Sequence, residues 1–237
     1  MINRYKLIRI ATVPVSLEKL LENQLHFMNS YYDVVAVSSD KKYLERVGAA
    51  QGVPVFHVEM TRKITPLKDI RAVWQLYKYF KKEKPFIVHS HTPKAGTVSM
   101  LAAKLAGVPH RFHTVAGLPL LEAVGFKRNL LNIVERATYH CATKVYPNSS
   151  GLKEIILKEN FCSPLKVKVI GTGSSNGIDT SHFSSEHFSA EDRRKLKESI
   201  GISIDDFVFI FVGRLVADKG INELVSAFKV LSKDCKT

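Results

Sequence analysis

The sequence predicts an α/β protein built on a doubly wound parallel sheet, and two patterns carry that expectation. Short β-rich runs alternate with amphipathic helical stretches along most of the chain. Several of the runs are apolar on both faces, as in Phe86-Ile87-Val88, which suits strands covered by helices on each side. Strand–helix alternation repeated this often closes into a parallel sheet through right-handed crossovers. In such sheets ligands bind beyond the C-terminal ends of the strands, so the residues that leave each strand are the ones to read for function.

The strand candidates are Leu7–Val13, Val34–Val37, Val55–Val58, Phe86–Ser90, Arg111–Val115, Lys144–Pro147 and Val167–Ile170. Helical patterns fill 16–29, 41–51, 67–82, 94–106, 127–141 and 150–158. From Gly171 to His182 the pattern lapses into Gly, Ser, Thr and Asn, a linker composition. Ser189 with Asp192 then reads as a capped start for a helix over Arg193–Ile200. Phe207–Val212, six apolar residues in a row, reads as a buried strand, and Ile221–Leu231 as a helix. One strand and two helices cannot cover both faces of that strand. The expected organisation is therefore an N-terminal Rossmann-like domain over 1–175, a linker over 176–189, and over 190–237 only the start of a second, similar domain.

Composition narrows the class. Of 237 residues 45% are apolar and 24% charged, which excludes disorder as the main state. The net charge of +13 favours anionic partners, whether phosphate groups, nucleic acid or an anionic membrane surface, and charge alone does not choose among them. Cys141, Cys162 and Cys235 lie too far apart for a Cys-x-x-Cys site, and an odd, unpaired set suits a reducing compartment. The first residues lack the apolar core of a signal peptide, and no apolar stretch reaches the ~20 residues needed to cross a bilayer. A cytoplasmic protein is expected, peripheral at most on the inner face of the membrane.

Two constellations carry candidate chemistry. His91-Thr92 and His113-Thr114 leave adjacent-looking strands at the edge where a doubly wound fold keeps its site. The plain alternative is a helix cap by Thr92 and a core histidine. Further on, Gly213-Arg214-Leu215 and Lys219-Gly220 follow the apolar run and precede a helix. Arginine supplies a planar fork of donors, lysine a compact charge, and the helix N-terminus unpaired N–H groups. Together they suit a diphosphate that gains charge as a bond to it breaks; the alternative is a turn with two solvated cations. Gly171-x-Gly173 with Gly177 imitates a dinucleotide loop, but the spacing fails and no helix opens after it.

Gly213-Arg214-Leu215 with Lys219-Gly220, preceded by Asn176-Gly177-Ile178-Asp179, resembles glycosyltransferase family 4, retaining enzymes of the GT-B fold. The stretch from Pro66 to Pro119, with its His89-Ser90-His91-Thr92-Pro93-Lys94-Ala95-Gly96 and His113-Thr114…Gly117-Leu118-Pro119 blocks, is similar to bacterial members that build capsule, O-antigen or lipid-linked oligosaccharides. The resemblance implies that Arg214 and Lys219 clamp the donor diphosphate. It implies that His113 reaches the transferred sugar, and that Lys94, Gly96, Gly117 and His91 lie beside the acceptor. The substrates implied are a nucleotide-diphosphate sugar and a glycan or polyprenyl-linked acceptor. No cofactor and no metal are expected, since there is no Asp-x-Asp motif and cationic side chains meet the leaving-group charge.

Two departures stand out. Many members have a Gly-Gly pair after the first strand, where this chain has Thr12-Val13-Pro14-Val15-Ser16; Ser16 is placed to cap the next helix and face the cleft. The family's paired glutamates, set far beyond the Gly-Arg-Leu block, are absent, so the chain by itself is expected to be inactive in transfer. A noncatalytic binding module is the alternative, and a nucleotide-sugar epimerase of similar shape a third reading.

The helix over 67–82 places Lys68, Arg71, Lys78 and Lys82 within an arc of roughly 80°, opposite Ile70, Val73, Trp74, Tyr77 and Phe80. This is either an ordinary solvated face or a contact for anionic lipid headgroups. Nucleic acid is not expected, because the aromatics are not interleaved with the charges.

Overall fold

A computed structural model describes residues 4–174, 177–216 and 219–234, in two compact units that divide between Ile178 and Asp179. Among its described residues the larger unit holds six strands: β1 (Lys6–Ile10), β2 (Asp33–Ser38), β3 (Val55–His57), β4 (Ile87–Ser90), β5 (His110–Val115) and β6 (Lys144–Pro147). All pair in parallel, in the order β3-β2-β1-β4-β5-β6. The order reverses between β1 and β4, which is where a doubly wound sheet opens a crevice. The crossovers carry α1 (Pro14–Lys19), α2 (Gln24–Asn29), α3 (Lys41–Gln51), α4 (Pro66–Glu83), α5 (Pro93–Ala106) and α6 (Gly125–Cys141), and α7 (Ser150–Lys158) follows β6.

Strand alternation divides the core in two. Ile8, Ile10, Val35, Val37 and Val88 face one way and pack with Ala72, Leu76 and Phe80 of α4 and Ala95, Val98 and Ala102 of α5. Leu7, Ala11, Val34 and Ala36 face the other way and pack with Leu17, Leu21 and Leu25 and with Leu44 and Val47 of α3. At ~25 cal/mol per Å² of apolar surface, burying side chains of this size is the dominant stabilising term.

The structure departs from the sequence reading in four places. The helix expected over 16–29 is two short helices, α1 and α2, with Glu22 at φ +39° in the break. Pro14 fixes the start of α1 at its first position, because its missing N–H is unneeded there. Ser16 therefore lies inside α1, buried, and caps nothing. At Val167–Ile170 there is no strand, only a parallel bridge from Val167 to Val145. The apolar sides of α4 are not all covered either: Ile70 is 66% and Trp74 56% exposed, beside an exposed Leu67, because only the stripe through Ala72, Leu76 and Phe80 meets the core.

The fourth departure is in the smaller unit. Phe207–Val212 forms no strand, and Phe207, Ile210 and Val212 are each more than 80% exposed. A strand needs hydrogen-bonded neighbours and covered faces, and among the described residues nothing pairs with this one. Phe209 instead meets the rings of Phe207 and Phe228. The unit's described residues include the helices α8 (Ala190–Ser199) and α9 (Ile221–Asp234). Ser189 and Asp192 form the reciprocal capping box at the start of α8.

Candidate active site

The C-terminal edge of β4 and β5 gathers much of the first constellation. Ser90 and His113 are register partners on neighbouring strands, and the Ser90 hydroxyl lies 2.8 Å from His113 Nδ1. The first turn of α5 lies directly over the imidazole. A Cβ on Gly96 would fall 2.3 Å from His113 Cε1, so only glycine lets the helix approach the ring this closely. Tyr139 of α6 closes the other side, its ring centroid 5.8 Å away. His113 is 3% exposed, and burial drives its pKa down to about 4, partly opposed by hydrogen bonding with Ser90. The ring is thus neutral at pH 7. It can orient a hydroxyl but carries no charge to offer.

The loop without glycines after β1 is tied to the same helix start. Thr12 N–H donates to Thr92 Oγ1 at 2.9 Å, the two hydroxyls lie 2.7 Å apart, and Ala95 N–H donates to Thr12 Oγ1 at 3.2 Å. Thr92 occupies the N-cap position, yet the hydroxyl that caps the helix is Thr12's. Lys94 is engaged in an ion pair with Asp69 in the first turn of α4. Gly117 is exposed beyond β5, with open space around it.

The two His-Thr pairs do not form one site. His91 follows β4 in step with Ile87 and His89, on the sheet face opposite to Ser90 and His113. The pairing crosses the motifs: His89 Nε2 lies 2.8 Å from Thr114 Oγ1, and His91 stands beside His89 with ring centroids 4.1 Å apart. His91 is buried, and burial, reinforced by the neighbouring His89 and the Arg9 guanidinium, holds its pKa well below the usual histidine value. Sequence reading grouped His91 with Thr92 and passed over Arg9, Ser90 and Thr12. The available signal was spacing: His89 and His91 at i, i+2 share a face, and Arg9 is the lone charge inside an apolar strand run.

In the smaller unit Arg214 is exposed beyond the extended segment, and Lys219 is exposed two residues before α9. Gly220 takes φ +69° between them and the helix, a conformation that favours glycine. Asn176 lies outside the described residues; Asp179 accepts from the N–H groups of Ser181 and His182, both at 3.0 Å. Lys68, Arg71, Lys78 and Lys82 are all exposed along α4, and Lys78 sits 5.1 Å over the Trp74 ring.

Residues 25–173, well over half of the chain, match the glycosyl transferase 4-like domain. The chain belongs to that family. A capsular polysaccharide biosynthesis glycosyltransferase, CapM, of Staphylococcus aureus is 38% identical over 229 residues, covering 95% of this chain and 57% of the relative. A UDP-Gal:alpha-D-GlcNAc-diphosphoundecaprenol alpha-1,3-galactosyltransferase of Escherichia coli is 37% identical over 68% of this chain and 40% of its own length. The fold matches the crystal structure of Anabaena Alr3699/HepE in complex with UDP at a TM-score of 0.67, with 16% identity, over 94% of this chain and 57% of that one. The chain thus spans little more than half the length of the S. aureus relative. It is the family match, and not the fold, that favours transfer over the epimerase reading.

Proposed function

We propose that the chain supplies the acceptor side, and the opening part of the donor side, of a retaining glycosyltransferase of surface-polysaccharide synthesis. The donor is a nucleotide-diphosphate sugar and the acceptor a glycan or polyprenyl-linked sugar. The observation that carries the reading is the buried, neutral His113, fixed by Ser90 under the glycine of α5 at the ligand-binding edge of the sheet. The relatives support it by name: one serves capsular polysaccharide biosynthesis, and another transfers galactose to a diphosphoundecaprenol-linked sugar.

The roles proposed are those the family resemblance implies. His113 orients a hydroxyl of the transferred sugar. Lys94 and Gly96, at the head of α5, border the acceptor together with Gly117, while His91 stands across the sheet from them. Arg214 and Lys219 meet the charge that grows on the departing diphosphate, aided by the N-terminus of α9. Those cations supply the neutralisation a metal ion would otherwise provide. In a fusion of this chain to the C-terminal remainder of the S. aureus relative, His113→Ala is expected to lower kcat by ~10²-fold with a smaller change in KM. Equal turnover by the variant and the parent fusion would remove His113 from the mechanism.

A lipid-linked acceptor calls for contact with a membrane, and α4 is built for one. Its exposed cations adjoin the exposed Leu67, Ile70 and Trp74, an apolar stripe beside a basic one as in helices that lie in the bilayer interface. Among the described residues no helix is long and apolar enough to span a membrane. Replacing Lys68, Arg71, Lys78 and Lys82 with glutamine is expected to weaken binding to anionic liposomes by more than tenfold, at ~1 kcal/mol per charge. Sedimentation with vesicles checks this, and undiminished binding would dispose of the contact.

A further inference from the structure

The sheet face opposite His113 carries a second polar centre that the transferase reading leaves unused. Arg9 and His89 are register partners on β1 and β4, with Phe112 next to His89 on β5. Together with His91, Tyr146, and Gln24 and Met28 of α2, they line a cleft of ≈ 450 Å³. Among the described residues no aspartate or glutamate lines it.

Arg9 is 3% exposed. One of its terminal nitrogens donates to Gln24 Oε1 at 3.0 Å, and the other reaches only the weak acceptor Met28 Sδ at 3.1 Å. Among the described residues its Nε has no hydrogen-bond partner and the guanidinium makes no ion pair. Burial lowers its pKa to about 10, which leaves it charged at neutral pH. A guanidinium removed from water without a counter-charge is costly. Among the described residues neither ring nitrogen of His91, 4% exposed beside it, has a hydrogen-bond partner. A buried donor left unmade is itself destabilising.

We propose that this cleft is a binding site for an oxyanion, a phosphate or a carboxylate, held by the Arg9 fork and by an N–H of His91. The guanidinium presents parallel donors matched to two oxygens of either group. Phe112, Tyr146 and Tyr32 give the apolar wall against which the body bearing that anion rests. The anion comes either from a phosphate-bearing solute or from the carboxylate of a polypeptide segment that covers this face. The site lies across the sheet from His113 and is independent of the transferase reading.

The test uses the chain itself, with sodium phosphate, pyrophosphate and acetate titrated separately at ionic strength held constant with sodium chloride. Thermal midpoint and the imidazole nitrogen resonances of His91 are read together. A ligand at ten times its Kd is expected to raise the midpoint by about 3 °C and to shift the His91 resonances. Arg9→Met is expected to abolish both responses, and His91→Phe to weaken the first. A response to phosphate or pyrophosphate alone assigns the site to a phosphate-bearing solute; a response to acetate assigns it to a carboxylate. Arg9→Met, which removes the uncompensated charge, is also expected to melt higher than the parent without added anion. No response to any of the three anions, or an equal response in Arg9→Met, would overturn the proposal.

Discussion

Arg214→Ala, in the fusion that joins this chain to the C-terminal remainder of its S. aureus relative, is expected to lower kcat by ~10²–10³-fold with an unchanged melting temperature. Arg214 is exposed, so its removal leaves no hole in a core. Its proposed partner is a diphosphate whose charge is larger in the transition state than in the bound donor. Loss should therefore fall on kcat more than on KM. Arg214→Lys is expected to recover little, since a point charge cannot reproduce two parallel donors. Lys219→Ala, which removes a compact charge just before α9, should cost less. Turnover of Arg214→Ala within a few-fold of the parent would take the donor clamp out of the account.

Gly96→Val is expected to destabilise the larger unit by ~2–4 kcal/mol. The Cβ position at Gly96 lies 2.3 Å from Cε1, 2.7 Å from Nδ1 and 3.0 Å from Nε2 of His113. The ring cannot swing aside, because Ser90 holds Nδ1 and Tyr139 lies beyond it. Either α5 lifts from the sheet, giving up burial of Ala95, Val98 and Ala102, or the imidazole is displaced. Chemical denaturation of Gly96→Ala and Gly96→Val, each with and without His113→Ala, separates these outcomes. If the clash is the cause, the Gly96→Ala penalty shrinks when His113 is also alanine. An equal penalty in both backgrounds would place the cost elsewhere, in the backbone of α5.

How much of this was legible beforehand follows from what each signal depends on. Strand and helix periods are local, so all of β1 to β6 and the helices from α3 to α7 were found within a few residues. The break between α1 and α2 was missed because the apolar spacing runs on through it; only Pro14 hinted at the true start. Phe207–Val212 was misread for the opposite reason. Six apolar residues state a preference for burial, but a strand exists only where another strand accepts its hydrogen bonds. That His113 lies near the C-terminal end of a strand could be read, while its confinement by Gly96 and Ser90 could not, since residues 17 and 23 positions away meet it only after the sheet forms. The same holds for Arg9 and His91, 82 positions apart, whose shared face depends on β1 lying beside β4. Sequence proximity instead paired His91 with Thr92, which belongs to the network around Thr12.

The most direct test of the central claim is the fate of the donor sugar. The fusion is incubated with UDP-glucose, UDP-galactose or UDP-N-acetylglucosamine and a diphosphoundecaprenol-linked N-acetylglucosamine acceptor, and the product is followed by NMR of its anomeric proton. The account predicts that one donor is consumed with release of UDP, and that its sugar appears on the acceptor with the anomeric configuration it had on the nucleotide. A nucleotide sugar epimerised without transfer, or an acceptor product of inverted configuration, would contradict it.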